Sequence, residues 1–288
     1  MTAPTPLSLS ALPSLKPSPR MPVAFLGHGS PMNAIEKNQW HQAWQQLGTE
    51  FGEGRRYPRP QLILCVSAHW LTRGWYLTGM DKPATIHDFG GFPRALFEVQ
   101  YPAPGAPAVA EGLAAQLRQP HHQQAVAVDE HQWGLDHGTW SVVMPMFPKA
   151  DIPVMQLSMD YSRPLAEHLA LGEQLRDLRE RGVLILGSGN IVHNLHAMTR
   201  THASAQAHDW AIEFDAHTTC RLNQHDHAAL TKVLDSDQRS LTQLAHPTHD
   251  HYLPLLYAAG ASHADETPRY FNVGHDMAAI SMRSVVWG

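Results

Sequence analysis

Cysteine is nearly absent: Cys65 and Cys220 are the only two in 288 residues. Two thiols make neither a disulfide framework nor a multi-cysteine zinc site. Charge is sparse too. Asp, Glu, Lys and Arg supply 16% of the chain, against about 25% in an ordinary soluble domain. The net charge is −5 with histidine neutral. Without a basic surplus the chain has little electrostatic hold on phosphates, so nucleic acid is not an expected partner. No apolar run approaches the roughly 18 residues of a membrane-spanning helix, so a membrane is not expected either. H-E-x-x-H, Cys-x-x-Cys, P-loop and G-x-S-x-G signatures are all missing.

What is present is apolar mass and imidazole. Apolar residues make up 43% of the chain, which excludes a disordered protein and allows a sizeable core. There are 21 histidines, as many as lysine and arginine together. In a soluble, cysteine-poor, acidic chain expected in the cytoplasm, such a number raises the question of metal ligation.

Residues 1–20 hold five prolines and four serines. They read as a flexible or surface-hugging arm, without the basic start and apolar stretch of a secretory signal. The arm has no periodic apolar face to bury, so its removal is expected to leave metal content and turnover nearly unchanged. From residue 21 to 288 no linker divides the chain, and one domain is expected. The apolar runs Val23–Leu26, Leu62–Val66, Ile152–Leu157 and Val183–Leu186 lack strict alternation, as do strands covered on both faces. Helical patterns lie at Ala106–Leu117, at Asp209–Leu222 and at Arg163–Arg181, where Gly182 supplies a stop. Tyr270–Val273 and Ile280–Trp287 are candidate final strands. Strands alternating with helices predict a three-layer α/β/α fold with a mostly parallel or mixed central sheet.

Three apolar runs end in similar chemistry. The first continues into Gly27-His28-Gly29-Ser30, the second into Ser67-Ala68-His69-Trp70, the third into Gly187-Ser188-Gly189-Asn190 with His193 just beyond. In open α/β sheets ligands bind at the carboxyl ends of the strands. Each histidine alone reads most simply as a hydrogen-bonded loop residue; recurrence at three strand ends favours a shared site. His137 and His251 sit where loops enter helices, with Thr248 or Asp250 as a candidate cap for the second. His87 opens the loop His87-Asp88-Phe89-Gly90-Gly91-Phe92-Pro93, suited to lining a small pocket or to packing on itself. His121, His122, His196, His202, His208, His225 and His227 lie in polar surroundings, and His168 and His217 in helical patterns; these are expected to be solvated or satisfied. Cys65 is expected to be a core thiol. Ser30 beside His28 is a weak nucleophile candidate, because adjacent residues at a strand end point apart. Two histidines and a third ligand suit non-haem iron and oxygen chemistry, whereas three ligands and a water suit a zinc hydrolase. A histidine-rich metal binder without catalysis is a third possibility.

Six segments occur in order: Phe25-Leu26-Gly27-His28-Gly29-Ser30-Pro31-Met32-Asn33, Val66-Ser67-Ala68-His69-Trp70, His87-Asp88-Phe89-Gly90-Gly91-Phe92-Pro93, Asp136-His137-Gly138-Thr139-Trp140, Gly187-Ser188-Gly189-Asn190-Ile191-Val192-His193-Asn194-Leu195 and His251-Tyr252-Leu253-Pro254-Leu255-Leu256-Tyr257. From residue 21 onward the chain resembles the DODA-type (4,5-DOPA) extradiol ring-opening dioxygenases of the class III, LigB-like group. The resemblance implies one divalent non-haem metal per chain, held by His28, His69 and His251. Fe(II) is then the ion for activity, and Zn(II) can occupy the same site. It implies His193 as acid/base and His137 facing the substrate, with His87 and Ser30 as further candidate substrate contacts. The partners it implies are a catechol, such as DOPA in 4,5-cleavage, and O2, with the chain a monomer or small homo-oligomer. Close relatives are expected to carry Glu before the third ligand; Asp250 is a mild departure, and is the runner-up ligand or a partner of His251.

Overall fold

Neighbouring side chains of a strand point to opposite faces, so a strand that is apolar throughout is stable only where both faces are covered. The computed structural model, which describes residues 7, 8, 12, 14–199, 206–235 and 239–288, meets that condition. Its strands are β1 (Val23–Gly27), β2 (Leu62–Thr72), β3 (Tyr76–Thr78), β4 (Ala127–Asp129), β5 (Val154–Asp160), β6 (Val183–Gly189), β7 (Arg269–Phe271), β8 (His275–Asp276), β9 (Ile280–Ser281) and β10 (Ser284–Trp287). Its helices are α1 (Gln39–Gly48), α2 (Arg94–Phe97), α3 (Pro107–Ala114), α4 (His137–Met146), α5 (Leu165–Leu175), α6 (Asp209–Asn223), α7 (His227–Leu230), α8 (Arg239–Ala245) and α9 (Leu253–Ala261). Eight strands form one sheet in the order β4-β3-β5-β2-β6-β1-β10-β7, and β8 pairs with β9. The inner four, β5-β2-β6-β1, are parallel. Antiparallel pairing enters at β10 and β7 on one side and at β3 on the other, so the sheet is mixed.

The core divides along the pleat. Val23, Phe25, Leu62, Leu64, Val183 and Ile185 face α3, α5, α6 and α9. Ala24, Leu26, Ile63, Cys65, Leu184 and Leu186 face α1 and α4. The result is the three-layer α/β/α domain expected from the sequence. Cys65 is wholly buried, and burial pushes its thiol pKa up, as suits an inert core residue.

Three local expectations need adjustment. The second strand does not stop at Val66; it runs to Thr72, losing its register with β5 between Val66 and Leu71. The helix expected at Arg163–Arg181 is α5 followed by a 3-10 segment from Arg176 to Arg181, which Gly182 stops at φ 70°. Neither Thr248 nor Asp250 caps α9: the flanking residue is Tyr252, without a side-chain cap, and Pro254 sits in the first turn.

Part of the N-terminal arm, and His202, lie outside the described residues. The described part of the arm is held against the body. Leu12 and Leu15 are 1% and 4% exposed and join the core on the α5 side. Lys16 N–H donates to Gln61 Oε1 (3.0 Å), and Gln61 Nε2 donates back to the Lys16 carbonyl (2.8 Å). The expectation that this segment has nothing to bury is therefore corrected: isolated leucines plug the core without any period. No helix among the described residues is long and apolar enough to cross a membrane.

Candidate metal centre

Because β1, β2 and β6 run parallel, their carboxyl ends meet at one edge. His28 follows β1 directly, its N–H donating to the Gly189 carbonyl (3.1 Å). His69 lies on β2 inside the stretch where register is lost, an irregularity of the kind that re-aims a side chain. His193 stands beyond β6, its N–H bonded to the Ala245 carbonyl (2.9 Å) and its backbone bridged to Ile280. His251 precedes α9 and its carbonyl accepts the Asn190 N–H (2.9 Å). Gly189 permits this approach, since a Cβ there would strike the His251 carbonyl. His137 opens α4, whose N-cap is Asp136; its carboxylate accepts the Thr139 N–H (3.0 Å).

These five histidines converge. Ring centroids are 5.2 Å apart for His28 and His69, 5.2 Å for His28 and His251, and 5.0 Å for His69 and His251. His137 is 3.9 Å from His69 and 5.8 Å from His28. His193 stacks on His251 at 3.5 Å with the rings nearly parallel. The Nε2 atoms of His28 and His69 are 3.3 Å apart, a spacing at which two imidazole nitrogens share a proton or face a common cation. Candidate ligand atoms of His28, His69 and His137 lie within 4.8 Å of one another. Ligand-atom distances thus pick out His28, His69 and His137 as able to hold a divalent metal, and ring spacing makes His251 an alternative third member. His28, His137 and His251 are buried, whereas His69 and His193 are partly exposed, so the cluster opens on their side.

Partners beyond the rings decide which nitrogen is free. The Ser188 hydroxyl donates to the Gly138 carbonyl, so at His28 it accepts from Nδ1–H (3.1 Å), leaving the Nε2 lone pair for the cluster. The Asp250 carboxylate accepts from Nδ1–H of His251 in the same way. Asp88 approaches Nδ1 of His69 (3.4 Å) and Nδ1 of His137 (3.0 Å). The runner-up ligand Asp250 thus stands behind His251. Burial opposes its ionisation, but the hydrogen bond and charge of His251 hold it well below the usual carboxylate range. Loss of water, then the neighbouring histidines, push His28 and His69 well below the usual imidazole pKa. The same causes push His193 down to about 2. Neutral imidazoles are what metal ligation and proton acceptance require. Asp136 is displaced upward by burial and by Asp88, and it is satisfied by Ser67 Oγ (2.6 Å) and Gln156 Nε2 (2.6 Å).

His87 does not enter the cluster. Its Nε2 bonds the Val99 carbonyl (2.9 Å) and its ring packs with Phe89, Phe97 and Trp140. It fastens the loop that brings Phe89 edge-on to His137 at 5.4 Å. Ser30 caps the short 3-10 turn Pro31–Ala34, accepting the Met32 N–H (3.3 Å). His168, expected to be solvated or satisfied, is buried with Nδ1 bonded to the Tyr257 hydroxyl (2.8 Å) and Nε2 left without a hydrogen-bond partner. The sequence reading missed Asp88, Ser188, Asp136 and Asn190 as working parts. Asn190 accepts the Gly29 N–H (3.3 Å) and donates to the Ser281 carbonyl (2.8 Å). The available signal was their place, one or two residues from a flagged histidine or glycine.

Residues 22–283 match the family described as the catalytic LigB subunit of aromatic ring-opening dioxygenase. The chain is 43% identical over 274 residues to a 4,5-DOPA dioxygenase extradiol of Escherichia coli K12, covering 94% of this chain and 96% of that protein. It is 34% identical over 238 residues to a protein of the same name from Beta vulgaris, covering 83% and 85%. The crystal structure of an uncharacterized protein from Escherichia coli K12 superposes with a TM-score of 0.75 at 39% identity, over 93% of this chain and 100% of that one. The chain that carries this histidine cluster belongs to the LigB family of aromatic ring-opening dioxygenases, among its extradiol members.

Proposed function

We propose that this chain is an Fe(II)-dependent dioxygenase that opens a catechol ring beside the diol, with DOPA in 4,5-cleavage as the leading substrate and His28, His69 and His251 as the metal ligands. The observation that carries the ligand set is ring spacing. Three imidazoles bound to one ion at metal–nitrogen distances of about 2 Å and near-tetrahedral to right angles have centroids roughly 4.5–5.2 Å apart. The His28, His69 and His251 centroids form a near-equilateral triangle of 5.2, 5.2 and 5.0 Å. With His137 as third member the sides are 5.2, 5.8 and 3.9 Å, a less regular triangle, although the candidate ligand atoms of that trio lie within 4.8 Å of one another. Support for DOPA comes from the relatives in Escherichia coli and Beta vulgaris, both named 4,5-DOPA dioxygenases. The family match favours ring opening over the hydrolase alternative.

Bound Fe(II) supplies a redox-active centre with open positions for a catechol and dioxygen, which zinc, being redox-inert, does not. The chain supplies the rest. His193, neutral in its resting state, accepts a proton from a catechol hydroxyl. Burial makes the imidazolium costly there, and the negative charge of the catecholate offsets that cost. The proton then held on His193 returns to oxygen as the ring opens. His137, on the opposite side beside His69, hydrogen-bonds the substrate or a developing oxyanion. Phe89 and Phe92, in edge contact at 5.4 Å, offer an apolar wall to the aromatic ring.

Metal content of single variants tests the ligand set. His28→Ala, His69→Ala and His251→Ala should each lose stoichiometric Fe(II) or Zn(II), whereas His137→Ala should retain it. Retention in His251→Ala with loss in His137→Ala would move the site to the other trio.

A further inference from the structure

One carboxylate serves two of the clustered rings. Asp88 Oδ2 lies 3.4 Å from Nδ1 of His69, and Asp88 Oδ1 lies 3.0 Å from Nδ1 of His137. Oδ1 also accepts the backbone N–H of His137 at 2.9 Å, which fixes the start of α4 against the Asp88 loop. Among the described residues the ion-pair partners of Asp88 are these two histidines, with no lysine or arginine competing for either oxygen. The loop carrying it is fastened on both sides. His87 is bonded to the Val99 carbonyl, and Phe89 is packed on His137 and Trp140. The carboxylate thus lies within ion-pair distance of two rings that stand 3.9 Å apart, its charge favouring a proton on each facing Nδ1, although the angle at His137 Nδ1 does not close a hydrogen bond.

We propose that Asp88 is a positioning residue that sets His69 and His137 together, one oxygen to each. At His69 it selects the Nδ1–H tautomer, so that Nε2 faces His28 and the metal. At His137 it holds the ring at a fixed angle beside that ligand. The loop that lines the substrate pocket and the ligand that holds the metal are thereby one mechanical unit, and a change at Asp88 disturbs metal affinity and substrate handling at once. This role rests on the metal reading above.

Asp88→Asn keeps the shape but replaces one acceptor oxygen with an NH2 group, which cannot accept from an Nδ1–H. The test is a zinc titration of native and Asp88→Asn protein against a chromophoric chelator. Loss of an outer partner of a metal-bound histidine typically weakens binding about 10–100-fold, and that loss is expected here. The iron-loaded variant at saturating Fe(II) should also show a changed KM for a catechol, which a purely structural weakening of the metal site would not give. Long-range imidazole ¹⁵N correlations of native, metal-free protein read the tautomers even if the variant fails to fold: His69 and His137 should both carry Nδ1–H. A variant that binds zinc within about twofold of native, or a native His69 protonated at Nε2, would overturn the role of Asp88 alone. A native protein without one tight zinc site would overturn the metal reading, and this role with it.

Discussion

A single hydroxyl decides which nitrogen of His28 is free. Ser188 spends its one proton on the Gly138 carbonyl, so it can only accept from the imidazole. Asp250 does the same for His251 with a carboxylate. In the proposed site both rings would thereby have their tautomer set before any ion arrives, which lowers the cost of assembling it. His193 has a different environment: its ring lies face-on to His251 at 3.5 Å, nearly parallel to it. That difference separates ligation from proton transfer. His193→Ala should keep the fold and the metal but lose roughly 10²–10⁴-fold in kcat, the usual contribution of a positioned acid/base. Turnover near the native rate in that variant would remove His193 from the proton path; loss of metal would make it a ligand.

Among the elements, β2 and the N-terminal arm show where sequence reading stops. The inner strands were legible because apolar residues run unbroken through Val23–Leu26, Leu62–Val66 and Val183–Leu186. The continuation of β2 through Ser67, His69 and Trp70 was not, because polar and aromatic residues interrupt the run just where register with β5 is lost. Yet that irregular stretch is what carries His69. The histidines at the strand ends were visible as residue types at a known kind of place; Asp88 and Ser188 were not, because their use depends on contacts with His69, His137 and His28, all distant in the chain. Asp250 looked like a helix cap by local chemistry, and a nearer partner, His251, claimed it. The arm failed for another reason: Leu12 and Leu15 show no period, and burial of isolated side chains leaves no pattern to read. Burying a leucine is worth about 1.5–3 kcal/mol, and truncation to alanine in a core costs about 2–5 kcal/mol. Leu12→Ala and Leu15→Ala should therefore each lower the urea-unfolding free energy by about 2 kcal/mol while leaving zinc affinity unchanged. Variants as stable as the native chain would show that the arm contributes nothing.

At the scale of the whole molecule, buried histidines make stability depend on pH. Burial lowers His168 and His246 to about 4. Each is neutral in the fold and free to protonate once unfolded, with an unfolded pKa near 6.5. Their contribution is complete above pH 6.5 and is lost as pH falls from there toward 4, at most about 3 kcal/mol for each group. The carboxylate of Asp250, held low in the fold, continues the loss in the same direction at lower pH. Urea unfolding of metal-free protein should thus give a smaller free energy at pH 5 than at pH 7.5, and His168→Gln should flatten the slope. Stability that is constant or rises on acidification would contradict this assignment. The fold's larger device is the placing of histidines from three strand ends, one loop and one helix start around a common point, the arrangement on which the proposed ring-opening activity rests. The most direct measurement is oxygen uptake by protein reconstituted anaerobically with Fe(II) and then given DOPA, caffeate or protocatechuate in air-saturated buffer. The account predicts oxygen consumed in proportion to the catechol, a yellow ring-opened product, and no uptake with a monophenol, which lacks the second hydroxyl. An iron-loaded protein that consumes no oxygen with any catechol, yet hydrolyses esters or amides when loaded with zinc, would contradict it.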